Sequence, residues 1–106
     1  MGLFFNKKPQ EPQEMSKCLN VGGSIGEVLS YLKQSFGNYV TATNGNNSLE
    51  AEFKIAGQGM IHYYITCNAM GNATQLLLRI VTTGPKVERA IDDFAKALKR
   101  KFSVSY

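Results

Sequence analysis

The sequence predicts an α+β fold of two layers, in which both helices of the chain lie on one face of an antiparallel sheet. Three consecutive segments between residues 48 and 83 are rich in strand-forming residues and are separated by short glycine-containing turns. Two other segments, 24–37 and 85–102, carry apolar side chains at helical spacing. Two more short strands flank the first helix, so the predicted order is β-α-β-β-β-β-α. The links between consecutive strands are short, which favours antiparallel pairing.

Length and composition indicate one soluble domain. The 106 residues carry a net charge of +4, which is enough for solubility and too small a balance to indicate nucleic acid as a partner. We expect a flexible tail at residues 1–14 and a single α+β domain at 15–106. Cys18 and Cys67 lack C-x-x-C spacing, so we expect reduced thiols and a cytoplasmic location.

The N-terminal tail combines a short apolar run with two lysines. Gly2-Leu3-Phe4-Phe5 precedes Lys7 and Lys8, and the run is too short for the apolar region of a signal peptide. A weak contact with a membrane surface is the alternative to a loosely docked tail. No apolar stretch of the sequence approaches the roughly 20 residues that cross a bilayer, so stable membrane insertion is not expected.

A strand and a capped helix follow the tail. Met15 to Val21 is predicted to be a strand that ends at Gly22-Gly23. Ser24 and Glu27 stand three residues apart, as in the capping box that begins many helices, and Gly37 is expected to end the helix. The apolar stripe of this helix consists of Ile25, Val28, Leu29, Leu32 and Phe36.

The second predicted strand runs from Tyr39 to Thr43 and is followed by the turn sequence Asn44-Gly45-Asn46-Asn47. Alternation along this strand predicts Val40 and Ala42 on the core side of the sheet. Tyr39, Thr41 and Thr43 are then expected on the opposite face.

Three alternating strands are predicted at residues 48–56, 60–69 and 74–83. A two-residue loop at Gly71-Asn72 places Ile65 opposite Leu78. The residues expected on the core side are Leu49, Ala51, Phe53, Ile55, Ile61, Tyr63, Ile65, Cys67, Leu76, Leu78 and Ile80.

The other hairpin loop, at residues 57–59, is expected to place Phe53 opposite Tyr63 and Ile55 opposite Ile61. The face away from the core then contains two cross-strand rows of side chains. These predicted rows are Glu52-Tyr64-Arg79 and Lys54-His62-Val81.

The last helix is expected to open at Gly84-Pro85, with proline at its first position. A short tail is predicted at residues 103–106. The predicted buried stripe of this helix comprises Val87, Ala90, Ile91, Phe94, Leu98 and Phe102.

This order of elements resembles one repeat of the TATA-box-binding protein fold and the core of helix-grip proteins. The resemblance spans residues 15 to 102 and concerns the order of helices and strands. The helix-grip likeness implies that an apolar cavity can exist between the helices and the sheet.

No pattern of residues points to catalysis, to a metal or to a cofactor, so we predict that the chain is not an enzyme. His62 is the only histidine, and a general base needs an orienting partner and a pocket. An enzyme that uses His62 together with Glu52 or Tyr64 is therefore a minor alternative. The basic residues of the last helix are interrupted by acidic ones, and no aromatic stacking pattern accompanies them, which argues against specific nucleic-acid binding.

We therefore predict a small binding or assembly domain that contacts another protein, or a second copy of itself, through the sheet face away from the helices. The residues predicted to form that surface are Tyr39, Glu52, Met60, His62, Tyr64, Leu77, Arg79 and Val81. The alternative is a protein that binds a small apolar ligand between helices and sheet, in a pocket lined by Phe53, Tyr63, Ile65 and Leu78.

Overall fold

The computed structural model of the chain describes residues 11–45, 47–57 and 59–106. These residues form a six-stranded antiparallel sheet and two α-helices, which confirms the predicted α+β class. The elements are β1 (Gln13–Val21), α1 (Ile25–Phe36), a 3-10 turn (Gly37–Tyr39), β2 (Val40–Asn44), β3 (Ser48–Ile55), β4 (Gly59–Met70), β5 (Ala73–Thr83), α2 (Val87–Lys99) and β6 (Val104–Ser105). The order across the sheet is β2-β3-β4-β5-β1-β6.

A single apolar cluster joins the helices to the sheet. It contains strand residues of one parity, such as Leu49, Ile65 and Leu78, together with Leu32 of α1 and Leu98 of α2. Because alternate side chains of a strand point to opposite faces, this parity defines one side of the sheet, which we call the inner face. We call the other side the outer face.

The first turn of α1 has the predicted capping box. The Ser24 backbone N–H donates to Glu27 Oε1 at 3.0 Å, and the Glu27 backbone N–H donates to Ser24 Oγ at 3.2 Å. Hydrogen bonding to the Ser24 backbone N–H, and secondarily to the Ser24 side chain, lowers the pKa of the Glu27 carboxyl group. The helix ends as expected at Gly37, with φ of 54° and ψ of −121°.

The register of the β4–β5 hairpin is the predicted one, with Ile65 opposite Leu78. The predicted register of β3 against β4 is wrong by two residues, because Phe53 lies opposite Ile61. Gly59 was assigned to the loop but belongs to β4. It has a φ of 125°, and a Cβ at this position would overlap the Thr83 carbonyl oxygen, so only glycine fits where the strand begins. A shift of two residues keeps every side chain on its predicted face.

A β-bulge in β2 changes which of its residues face the core. The register of β2 against β3 shifts between Val40 and Ala42, so that Ala42 lies opposite Glu50 and Thr43 lies opposite Leu49. Directly opposed residues share a face, which places Ala42 on the outer face and Thr43 on the inner face. The predicted faces of these two residues are therefore wrong, since an extra residue in a strand inverts the alternation that follows it.

Both ends of the domain differ from the expectation. Strand β1 begins at Gln13, within the predicted tail of residues 1–14; residues 1–10 of that tail lie outside the described residues. Val104 and Ser105 pair with β1 as a short edge strand, where a tail was predicted.

Helix α2 begins at Val87, two residues after Pro85, and its N-cap Lys86 makes no side-chain cap hydrogen bond. Within the described ranges, no helix has the length and apolar character needed to cross a membrane.

Candidate functional site

The cross-strand rows on the outer face differ from the predicted ones. Tyr64 stands between Glu50 and Arg79, and His62 stands between Glu52 and Val81. The predicted rows paired Tyr64 with Glu52 and His62 with Lys54, and both pairings are corrected by the two-residue shift of β3 against β4.

Arg79 ties the outer face of β5 to its neighbours on both sides. Its Nε donates to Glu14 Oε2 at 2.7 Å and its Nη2 donates to Glu14 Oε1 at 3.3 Å. The hydrogen bond between these side chains lowers the pKa of Glu14 and raises that of Arg79. The guanidinium also lies over the Tyr64 ring, 4.6 Å from its centroid. Glu14 was placed in the tail by the sequence, so this contact was not predicted.

His62 also has its partners within the outer face. Its ring stacks on Tyr64, with centroids 4.3 Å apart and planes at 8°. Nε2 lies 3.3 Å from Glu50 Oε1, and Nδ1 lies 3.6 Å from Glu52 Oε2. The charged and aromatic side chains of the outer face therefore contact one another. Among the described residues, no group of three or more His, Cys, Asp and Glu side chains is placed to hold a metal ion.

Leu77 is the most exposed apolar residue among those members of the predicted contact surface that lie on strands. Its exposed fraction is 43%, whereas Met60, Tyr64 and Val81 are half-buried. A shallow groove beside Leu77 is lined by Cys18, Tyr64, Thr66 and Arg79, among others. The exposed apolar residues of the outer face thus include Leu77 and, at the end of β4, Met70, which is 57% exposed.

Tyr39, the remaining member of the predicted surface, lies elsewhere. It belongs to the 3-10 turn after α1, and its ring meets the ring of Phe53, with centroids 4.2 Å apart and planes at 85°. Phe53 shares the parity of Leu49 and Ala51 on β3 and therefore points to the inner face. Both rings line a cavity between the helices and the sheet, so Tyr39 is not part of the outer face.

We call this space the aromatic cavity. It has a volume of about 250 Å³ and is open to solvent on one side. Six of its lining residues are aromatic, namely Tyr31, Phe36, Tyr39, Phe53, Tyr63 and Phe94. The rest of the lining is Leu32, Ser35, Asp93, Ala97 and Leu98.

The turn after α1 brings Tyr39 to the mouth of the aromatic cavity. Phe36 is the last residue of α1, and the positive φ of Gly37 reverses the chain directly after it. A φ of 54° with a ψ of −121° is readily adopted by glycine alone. Phe36 and Tyr39 can therefore both line the cavity although only two residues separate them.

The other walls are fixed by packing and by one hydrogen bond. The Phe36 ring lies 4.9 Å from the Tyr63 ring and 6.4 Å from the Phe94 ring, between centroids. These separations are typical of favourable aromatic pairs. The Tyr31 hydroxyl donates to the Ala97 carbonyl oxygen at 2.8 Å, which joins α1 to α2 across the cavity.

Among the described residues that line the cavity, Asp93 is the one with a carboxyl group in its side chain. Burial, and secondarily the charge of Asp93, raise the pKa of Tyr63. In the described part of the chain, no basic nitrogen lies within 4.0 Å of the Asp93 carboxylate. Lys86 and Arg89 line a neighbouring groove that Asp93 also borders.

Sequence reasoning identified part of this cavity. Phe53 and Tyr63 were predicted on the inner face, and both line it. Ile65 and Leu78, the other residues predicted for such a pocket, are only 2% and 1% exposed in the core cluster. The contribution of Tyr39 was missed because the sequence was interpreted as continuing β2 back to this residue.

Comparison with known proteins gave no relative: no family model, no curated protein and no solved structure matches the chain.

Proposed function

We propose that this chain is a non-enzymatic binding domain whose ligand is a small, largely apolar molecule held in the aromatic cavity. One observation carries the proposal. Tyr39 and Phe53 are 48% and 37% exposed, and they meet at the open side of a cavity walled by four further aromatic residues. Ligand sites are typically concave, mostly apolar and largely preformed.

The size of the cavity supports a small ligand. An apolar cavity of about 150 Å³ is large enough to bind benzene, and the aromatic cavity measures about 250 Å³. Sites for drug-sized molecules run from roughly 300 to 1,000 Å³. We therefore expect a compact ligand, one ring or a short branched chain in size.

The architecture is compatible with this function. We infer from the shared apolar cluster of α1, α2 and the inner strand residues that the two helices lie on one face of the sheet. This is the arrangement that the helix-grip and TATA-box-binding-protein-like orders imply. Likeness of fold is a weak argument for function, so the proposal depends on the cavity itself. We further propose a cytoplasmic location, on the ground that both cysteines are free.

The experiment is an NMR titration of the full chain with benzyl alcohol as a neutral apolar probe. We expect saturable shifts in residues of α1, α2 and β3 that line the aromatic cavity. Ser35→Phe places a ring at the cavity lining and should abolish the shifts. Ser30→Phe is the matched control, because Ser30 is an exposed residue of the same helix outside the cavity. Absence of saturable shifts, or equal binding by both variants, would contradict the proposal.

Protein contact through the outer face is a second candidate function, favoured by the exposure of Leu77 at 43% on that face. Contiguous apolar patches on a surface are typical of interfaces, and Leu77 lies in a largely apolar groove of this face. Light scattering after size-exclusion chromatography tests for a homodimer. Leu77→Glu should convert an assembly to monomer, whereas Gln75→Glu, on the same strand and face, should not. A monomer at high protein concentration that neither substitution alters would remove the case for self-association.

A further inference from the structure

We propose that the ligand of the aromatic cavity is a compact organic cation, an ammonium ion carrying methyl or other small alkyl groups. This inference rests on the proposed function, because it names the class of ligand for the same cavity. It is carried by the combination of six aromatic residues and one carboxylate in the lining.

The charge of the lining selects against anions. Among the described residues, no lysine, arginine or histidine lines the cavity, whereas Asp93 does. A carboxylate or phosphate ligand would find no cationic partner there and would be repelled by Asp93, and an unpaired charge is costly to remove from water. Fatty acids and phosphorylated metabolites are therefore poor candidates.

The aromatic rings favour a cation over a neutral molecule of the same shape. The face of an aromatic ring is electronegative and attracts ammonium groups that come within about 6 Å of its centroid. Tyr31 already has such a neighbour, since Lys101 Nζ lies 5.6 Å from its ring centroid, and this lysine lines a different groove. Cages of several rings are a known means of binding alkylated ammonium ions.

Asp93 supplies the counter-charge. Asp93 and Tyr63 both line the cavity, and the pKa of Tyr63 is raised by burial and, secondarily, by the charge of Asp93. The nearest basic residues in sequence are Arg89, one turn earlier on α2, and Lys96. Among the described residues neither forms an ion pair with Asp93 within 4.0 Å, so the carboxylate remains accessible to a ligand.

The test compares choline with 3,3-dimethylbutan-1-ol, an uncharged molecule of the same shape in which carbon replaces nitrogen. Both are titrated into the full chain and followed by NMR. We expect choline to bind about tenfold more tightly than the alcohol, and the shifts of both to fall on the lining of the aromatic cavity.

Two substitutions identify the source of the preference. Asp93→Asn should weaken choline binding roughly three- to tenfold and leave the alcohol unchanged. Asp92→Asn is the matched control, because Asp92 is the adjacent exposed residue and does not line the cavity. Tyr39→Leu keeps an apolar side chain at the mouth but removes a ring, so it should reduce the preference for choline.

Each outcome has a distinct meaning. If the alcohol binds as tightly as choline, the inference of a cation is overturned while the proposed apolar-ligand function stands. If neither choline, the alcohol nor benzyl alcohol binds, the proposed function itself fails. A choline preference that Asp93→Asn and Tyr39→Leu both leave intact would also overturn the inference, since the charge and the ring would then have no role.

Discussion

Tyr39 and Phe53 meet edge to face at the mouth of the aromatic cavity, with ring centroids 4.2 Å apart and planes at 85°. The two residues come from different elements, the 3-10 turn after α1 and strand β3. Neither is buried by the fold, so their contact does not serve mainly to fill the core. Both side chains line the cavity, and this explains why two aromatic residues are exposed to solvent at this place.

The contact between these rings is expected to contribute measurably to stability. A double-mutant cycle of Tyr39→Ala and Phe53→Ala, measured by urea unfolding, should give a coupling energy of about 0.5–1.5 kcal/mol. Each single substitution should leave the protein folded, because both side chains are more than a third exposed. Tyr106 is exposed and outside the cavity, so a cycle of Phe53→Ala with Tyr106→Ala should be additive. Additivity in the first cycle would show that the rings do not interact in solution.

The turn after α1 should depend on glycine at position 37. Gly37→Ala is expected to lower the free energy of unfolding by about 1–3 kcal/mol, because the backbone conformation is strained for any residue with a Cβ. The built Cβ would meet no atom within 4 Å, so the cost is conformational and not a clash. The measurement is chemical denaturation.

Gly26→Ala is the matched control for that substitution. Gly26 lies inside α1, and a Cβ there also meets no atom within 4 Å. Gly26 is the second residue of the helix, where alanine fits the backbone, so the substitution should raise stability by about 0.4–1 kcal/mol. If both substitutions shifted stability in the same direction, the claim that Gly37 is required by its backbone angles would be wrong.

The two cysteines should react at very different rates with a thiol reagent. Cys18 is exposed and Cys67 is fully buried in the core. Burial raises the pKa of Cys67 to about 11, so its thiol is neutral as well as inaccessible. Labelling of Cys67 should require unfolding and be slower by at least about a thousandfold. Cys18→Ser should remove the fast phase, and a rapidly labelled Cys67 would show that the core is open.

The raised pKa of Cys67 should also make the free energy of unfolding depend on pH in the alkaline range. The native Cys67 thiol keeps its proton above pH 9.0, the ordinary value of the thiol pKa. The stability associated with this thiol is fully present below pH 9 and is lost as the pH rises through about 11. Cys67→Ala should therefore flatten the fall in unfolding free energy at alkaline pH, as followed by denaturation between pH 8 and 11.

The capping box should make stability depend on pH in the opposite direction, so that stability is lost as the pH falls. The hydrogen bonds from Ser24 lower the pKa of Glu27 in the native state. This contribution is present above 4.5, the ordinary value, and is lost as the pH falls through the lowered native pKa. NMR titration of Glu27 should show its pKa rising partway toward the ordinary value in Ser24→Ala, which keeps the backbone donor. An unchanged titration would contradict a role for the Ser24 hydroxyl.

The face on which each side chain of the central strands lies could be predicted from the sequence. A two-residue error in the pairing of two strands does not change that face. Phe53 lies opposite Ile61 where Tyr63 was expected, yet all three remain on the inner face, since a shift of two residues preserves parity. The loop glycines misled the prediction because Gly59 is needed in the strand for its close approach to Thr83.

The cavity could not be predicted in full because it depends on local departures from regular structure. The 3-10 turn carries Tyr39 away from the outer face, and the bulge in β2 exchanges the faces of Ala42 and Thr43. Neither a short turn nor a single-residue bulge has a strong signature in one sequence. The position of Asp93 beside the aromatic rings depends on how α2 packs, which helical periodicity alone does not specify.

The most direct test of a ligand site in the aromatic cavity is the detection of intermolecular NOEs between bound benzyl alcohol and selectively labelled phenylalanine and tyrosine rings. We predict NOEs from the probe ring to Tyr39, Phe53 and Phe94. NOEs confined to Tyr64 on the outer face, or none to any of the cavity rings at saturation, would contradict the account.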